Sequence, residues 1–160
     1  MPKALSLLTP PARPAVVHQS GEKHLESLRA NYTAGGVQGE LLPFIEDMAR
    51  RYAEADLVIC RAGAITVAEL SAGGMASVLV PFPHAVDDHQ TANARFLADR
   101  GAAILLPQSQ LTPERLAGLF RSLDRSTLLE MARTARALGK PGATRAVAER
   151  CIEMGEGKTA

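Results

Sequence analysis

The chain has 160 residues, of which 46% are hydrophobic and 22% charged, a composition that suits one globular domain with a sizeable core. Its 18 basic and 17 acidic residues are scattered and leave a net charge of +1, which argues against a nucleic-acid partner or electrostatic capture by an anionic membrane. Aromatic residues make up 4% and Trp is absent, so the core must be built from Leu, Val, Ile and Ala.

Strand-like and helix-like segments alternate along the chain, the pattern of a parallel sheet with helices on both faces. Residues 15–18, Ala-Val-Val-His, read as a first strand entered through a Pro-rich linker over 9–14. A helix follows over 22–31 with Leu25 and Leu28 on one face, closed by Gly35-Gly36. A short strand is predicted over 37–41. Pro43 then precedes a helix to about residue 55, with Glu46 and Asp47 in its first turn, where acidic groups favour the helix dipole. Residues 57–60, Leu-Val-Ile-Cys, form the continuous apolar run of a strand covered on both faces.

A helix over 64–72 is stopped by Gly73-Gly74, and a buried strand over 77–80 is ended by Pro81-Phe82-Pro83. The next helix, over 88–100, is expected to bury Ala92, Phe96 and Leu97 and to use Gly101 at its C-cap. A last short strand spans 102–106. Thr112-Pro113 opens a helix in the preferred order of N-cap and first-turn proline, with Leu116, Leu119, Phe120 and Leu123 on its apolar face. Helices over 126–138 and 143–154 finish the chain. The expected fold class is α/β, a Rossmann-like open sheet of about five parallel strands.

Cys60 and Cys151 lie far apart with no metal-ligand spacing; Cys60 reads as a buried strand thiol, and a reducing cytosol fits better than a disulfide framework. Residues 1–8 are too short and Pro-punctuated for a signal peptide, and no apolar run approaches the ~20 residues that span a bilayer. No Ser-His-Asp order, Cys-His pair, Walker loop or zinc signature occurs, and His24 reads as a surface helix residue.

Open parallel sheets bind ligands at the carboxyl ends of their strands. Three strand exits here carry unusual residues: His18-Gln19-Ser20-Gly21, Arg61-Ala62-Gly63-Ala64-Ile65-Thr66 and Pro81-Phe82-Pro83-His84. In the second, a buried strand runs through Gly63 into a helix beginning near Ile65-Thr66. Glycine permits close backbone approach, and free amides at a helix N-terminus attract phosphate. Glu69, one turn in and on the same face as Thr66, could accept hydrogen bonds from a vicinal diol such as a ribose. The same Thr66-Val67-Ala68-Glu69 also matches a capping box, in which both residues merely cap the helix. Spacing alone leaves the two readings level.

Gln90 and Asn93 stand i, i+3 at a helix start, where two amides could face sugar hydroxyls and an N-acetyl group, or could belong to a solvated loop capped near Asp88. His84, Asp88 and His89 could be grouped as a metal site, but nothing in the loop would orient them. Asp87-Asp88 does not form the Asp-x-Asp pair of metal-dependent sugar transferases. Ser20 and the Ser20-Gly21 amides could touch phosphate or ribose, or form an ordinary N-cap.

Taken together, His18-Gln19-Ser20-Gly21, Phe44-Ile45-Glu46-Asp47-Met48, Cys60 through Glu69, and Val80-Pro81-Phe82 resemble one family over residues 14 to 154: the bacterial peptidoglycan N-acetylglucosaminyltransferases that convert lipid I to lipid II. Those enzymes pair two Rossmann-like domains across a cleft, and the chain resembles the C-terminal, donor-binding one. The resemblance implies UDP-N-acetylglucosamine (UDP-GlcNAc) as ligand, with no cofactor and no metal. It implies a backbone near Ile45 that reads uracil, Gly63, Ile65 and Thr66 at the nucleotide and diphosphate, and Glu69 on the ribose hydroxyls. Ser20 would lie near ribose or phosphate, and Gln90 with Asn93 would grip the GlcNAc.

His89 stands where the family pattern has the first of two glutamines, and the preceding loop is one residue longer. Residues 1–13 resemble the remnant of a helix and a linker, 14–154 the donor domain, and 155–160 a frayed tail. The catalytic base, the lipid I site and the membrane contact would then belong to an N-terminal domain outside these residues, and the enzyme would work at the cytoplasmic face of the inner membrane. Two other readings stand beside this one. The first is a UDP-sugar-binding half that acts only with a separate acceptor half or is an inactive fragment; the second is a relative of UDP-GlcNAc epimerases, which share the architecture.

Overall fold

The computed structural model describes residues 1–83 and 88–155. Five strands alternate with helices: β1 (Val17–Gln19), β2 (Glu40–Leu42), β3 (Val58–Cys60), β4 (Ser77–Leu79) and β5 (Ala103–Leu105). The helices are α1 (Pro2–Ser6), α2 (Leu25–Ala34), α3 (Met48–Glu54), α4 (Ala64–Gly73), α5 (His89–Ala98), α6 (Pro113–Ser122), α7 (Arg125–Leu138) and α8 (Ala143–Gly155). Every strand pairing is parallel, as the β-helix-β alternation requires. The hydrogen bonds, however, divide the strands into a pair, β1-β2, and a triplet, β3-β4-β5, instead of one five-stranded sheet.

One buried cluster joins the two sheets. Ala4, Leu5 and Leu8 around α1 pack with Leu28, Tyr32, Val78, Val80 and Leu106, while Val16 just before β1, Leu41 from the first sheet, and Ile59 and Ile104 from the second lean on the same cluster. A second cluster, built from Ala62, Val67, Leu70, Leu79, Ala94 and Leu97, lies under α4 and α5. β4 is buried along its whole length because it is the middle strand. β3 is only half-buried, since it forms an edge of its sheet; the apolar run at 57–60 predicts burial but does not encode its place in the order.

Two helices differ from expectation in informative ways. α3 begins at Met48, with Asp47 outside it as the N-cap accepting the Arg50 amide at 3.0 Å, so Glu46 and Asp47 are not in the first turn. In α5 the buried positions are Ala94 and Leu97, whereas Ala92 and Phe96 are exposed; the Arg100 guanidinium covers the Phe96 ring at 5.0 Å instead. The α5 C-cap is Asp99, with Gly101 two residues beyond it at φ 74°.

Cys60 is half-buried, which pushes its thiol up to about 11, and Cys151 is exposed; neither is in a disulfide. α4 ends on Gly74 at φ 68°, a left-handed cap that favours glycine, and α4 packs along α7. His84 and Asp87, together with the tail residues 156–160, lie outside the described residues.

Candidate functional site

The N-terminus of α4 presents open backbone donors directly after a strand. β3 passes through Arg61 and Ala62 to Gly63, the N-cap, which has φ −64° and no side chain to cap with. Among the described residues the amides of Ala64, Ile65 and Thr66 find no acceptor, and the first helical bond runs from Val67 to the Gly63 carbonyl at 2.9 Å. By contrast α3, α6 and α7 are closed by the side chains of Asp47, Thr112 and Asp124. Three unpaired amides and the positive end of the dipole suit a phosphate. A Cβ at Gly63 would meet only the Thr66 hydroxyl, at 3.7 Å, so the backbone there does not need glycine for its own conformation.

Because α4 starts at Ala64, Thr66 is its third residue and not its N-cap. The capping-box reading of Thr66 and Glu69 therefore fails: both side chains are inside the helix, and neither bonds a first-turn amide. Thr66 is half-buried, Ile65 is 76% exposed, and Glu69 is exposed one turn further on. The Tyr52 hydroxyl, on α3, donates to Glu69 Oε2 at 3.4 Å. Burial, with the Glu69 charge adding to it, pushes Tyr52 up to about 12, so the phenol stays protonated and remains a donor.

At the first sheet, the Ser20 and Gly21 amides donate to the Leu42 and Pro43 carbonyls at 3.1 and 3.0 Å. They extend the β1-β2 ladder and are not available to an anion, contrary to one expectation for this turn. The half-buried Ser20 hydroxyl donates to the Gly21 carbonyl at 3.1 Å, a local bond that a rotation of the hydroxyl would release. Gln19 Oε1 accepts the Ile45 amide at 2.9 Å. The Ile45 carbonyl accepts no bond among the described residues and is the group left for a donor such as a pyrimidine N–H. His18 is directed away from this chemistry: its Nδ1 meets the Tyr32 hydroxyl at 3.2 Å, and the rings pack edge to face.

At the exits of β3 and β4, backbone partners fix the orientation of both amides. The Phe82 N–H donates to Gln90 Oε1 at 2.9 Å, which leaves the Gln90 NH2 as the donor end of that side chain. The Ala62 carbonyl must find a donor and takes Asn93 Nδ2 at 3.1 Å, which leaves Asn93 Oδ1 as an acceptor. Both side chains are half-buried. Arg61 ties the same two exits together, donating to the Val80 and Pro81 carbonyls at 3.3 and 3.1 Å and to Gln108 Oε1 at 2.7 Å, with its guanidinium 5.4 Å from the Phe82 ring centre. No three His, Cys, Asp or Glu side chains are grouped to hold a metal among the described residues, and His84 of the suggested metal group lies outside them.

A model of the glycosyltransferase family 28 C-terminal domain matches residues 1–149. The chain belongs to that family. It is 66% identical over 158 residues to the UDP-N-acetylglucosamine--N-acetylmuramyl-(pentapeptide) pyrophosphoryl-undecaprenol N-acetylglucosamine transferase of Aromatoleum aromaticum, covering 99% of this chain and 44% of that protein. The enzyme of the same name from Nitrosospira multiformis is 60% identical over 154 residues, covering 96% of this chain and 43% of the relative. A crystal structure of Acinetobacter baumannii MurG superposes with a TM-score of 0.85 at 49% identity, covering 92% of this chain and 45% of that one. The chain thus spans less than half the length of the curated relatives it matches.

In this family 28 domain, three residues that organise the strand exits escaped the motif reading. Gln19 and Arg61 stand inside quoted motifs, but nothing in the sequence tells that one holds Ile45 and the other Val80 and Pro81. Tyr52 follows the α3 N-cap at a distance that marks it as an ordinary apolar-face residue; its bond to Glu69 is long-range and invisible to periodicity. No helix among the described residues is long and apolar enough to cross a membrane.

Proposed function

We propose that this chain binds UDP-GlcNAc and presents its anomeric carbon for an inverting transfer of GlcNAc to lipid I, giving lipid II in peptidoglycan synthesis. The observation that carries the reading is one helix, α4, with an open anion-binding N-terminus directly after a parallel strand and a carboxylate one turn along. The activity named for relatives up to 66% identical supports it. On this reading the diphosphate sits at the Ala64, Ile65 and Thr66 amides near Gly63, with the Thr66 hydroxyl beside it. Glu69 accepts from the ribose diol, Ser20 flanks the ribose or phosphate, and the Ile45 carbonyl takes the uracil N–H. Gln90 donates to, and Asn93 accepts from, the GlcNAc.

The acceptor's 4-hydroxyl oxygen attacks C1 of GlcNAc, the bond from C1 to the diphosphate oxygen breaks, and UDP leaves with the electron pair. Negative charge grows on the diphosphate as this happens, and the α4 amides are already oriented to stabilise it. The proton of the 4-hydroxyl goes to a base that this reading assigns to an acceptor-binding half, along with lipid I and the cytoplasmic membrane face. The 160 residues alone would hold the donor and need that half for turnover.

Calorimetric titration of UDP-GlcNAc into the chain and its Glu69→Ala variant tests the reading. The variant is expected to bind about 1.5–3 kcal/mol more weakly, the range for a hydrogen bond to a charged group. Equal affinities would remove Glu69 from the donor site. Combining the chain with a separately expressed acceptor half and assaying transfer tests the division of labour.

A further inference from the structure

We propose that Tyr52 is a positioning residue for the donor ribose, holding the Glu69 carboxylate in the orientation that receives the diol. This inference rests on the donor-site reading of Glu69 given above. Three observations support it. The Tyr52 ring leans on the buried cluster of Ala62, Val67 and Leu70, so the ring is anchored while its hydroxyl reaches the surface. That hydroxyl meets Glu69 Oε2 at 3.4 Å and is the one hydrogen-bond partner of the Glu69 side chain among the described residues. Glu69 is otherwise an exposed side chain with three free torsions, whose ordering a ligand would have to supply.

One neutral donor on Oε2 removes part of that freedom without removing the negative charge. Oε1 and the second lone pair of Oε2 remain for two hydroxyl donors, which matches the demand of a 2′,3′-diol. Because burial keeps the phenol protonated well above neutral pH, the donor is present throughout the working range. The bond also joins the helix after β2 to the helix after β3, and so links the two sheets on the ligand side.

The test is calorimetric binding of UDP-GlcNAc and of its 2′-deoxyuridine counterpart to the wild type, Tyr52→Phe and Glu69→Gln. Phe keeps the ring and its packing, so the variant isolates the hydroxyl; its melting curve should overlay the wild type. Tyr52→Phe is expected to bind UDP-GlcNAc about threefold to tenfold more weakly, with a smaller loss for the 2′-deoxy donor. In a Glu69→Gln background the same Tyr52→Phe change should have little further effect. If Tyr52→Phe binds both donors like the wild type while Glu69→Gln binds weakly, Tyr52 only packs and the donor reading stands. An equal loss for both donors would show that the Tyr52 hydroxyl does not act through the ribose diol and would overturn the positioning role. If neither variant alters binding, the donor reading of Glu69 falls and this inference with it.

Discussion

Gln19, at the end of β1, accepts the backbone N–H of Ile45 at 2.9 Å and so fixes the loop that follows β2. The bond joins two strand exits 26 residues apart and decides which Ile45 group is left over. A base approaching this loop finds a carbonyl and no amide, which suits a pyrimidine N–H and not a ring acceptor. Gln19→Leu removes the acceptor and frees the loop. UDP affinity is expected to fall by about 0.5–1.5 kcal/mol, the net worth of one such bond. The melting temperature should change little, because both partners lie at the surface. Titration with UDP checks this; an unchanged affinity would leave Gln19 with loop order alone.

Gly63 separates ligand binding from folding more cleanly than any other position. Its φ of −64° suits any residue, and an added methyl would have open space apart from the Thr66 hydroxyl at 3.7 Å. Gly63→Ala should therefore cost the fold no more than about 1 kcal/mol, the usual price of an alanine at an N-cap. A bound diphosphate would meet that methyl, and UDP binding should drop at least about tenfold, since a backbone-to-phosphate contact leaves no room for it. Chemical denaturation and UDP titration on one preparation measure both. Normal binding by Gly63→Ala would move the diphosphate away from this turn.

Much of this was legible in the sequence, and the failures have physical causes. The alternation of apolar runs with helical periods located all five strands and the order of the helices, because burial imposes those periods. The division into two sheets was not legible, since pairing partners are set by non-local hydrogen bonds and not by any strand's own residues. Thr66 and Glu69 match a capping box by spacing, but α4 starts at Ala64 with Gly63 as its N-cap, so both side chains lie inside the helix. Of the expected inward set Ala92, Phe96 and Leu97, only Leu97 is buried, because the i, i+3 pair that faces inward is Ala94 and Leu97. Gln90 and Asn93 were found as a pair, but their opposite polarity follows from the Phe82 amide and the Ala62 carbonyl, which no spacing rule reveals.

That opposite polarity is itself testable. Gln90→Glu keeps an oxygen for the Phe82 N–H but loses the NH2, so it should weaken UDP-GlcNAc binding while leaving UDP binding nearly unchanged. The expected loss is about 0.5–1.5 kcal/mol, one neutral hydrogen bond. Asn93→Asp is a different kind of change. It replaces the donor to the Ala62 carbonyl with a carboxylate oxygen, leaving a fully buried residue's carbonyl unpaired, and should destabilise the fold by about 1–3 kcal/mol. Paired titrations with UDP-GlcNAc and UDP, together with denaturation curves, separate the two effects. Equal losses for the two ligands in Gln90→Glu would place Gln90 off the sugar.

Gly139, just after α7, supports α4 from behind. A Cβ there would stand 2.7 Å from the Ser71 carbonyl oxygen and 3.1 Å from Ala72 Cα, both backbone atoms that cannot rotate away. The requirement is for space and not for an unusual φ, which is −66°. Gly139→Ala should destabilise the chain by about 1–3 kcal/mol, as overpacking does in a tight contact. Since α4 carries the open N-terminus, UDP affinity should fall with it if the helix shifts. Thermal melting of the variant gives the first effect; a melting temperature equal to the wild type would show that α7 and α4 separate at little cost.

His18 gives the fold a pH dependence whose sign can be derived. Its Nδ1 lies 3.2 Å from the Tyr32 hydroxyl, and burial pushes Tyr32 up to about 12, so the phenol beside the imidazole stays neutral. Burial also holds His18 below its usual value. The unfolded chain therefore takes up this proton at a higher pH than the folded one, near about 6.5. Above that pH both states are neutral at His18 and stability is flat on its account. As pH falls through 6.5 toward the lower folded value, the unfolded state binds more protons and stability is lost. His18→Asn keeps a hydrogen-bonding group for Tyr32 and does not titrate. Melting temperatures of the two proteins, followed from about pH 8 to about pH 5, should run parallel at the alkaline end and diverge on acidification, the wild type falling more steeply. Curves that stay parallel throughout would show that burial in the fold does not hold the His18 imidazole neutral.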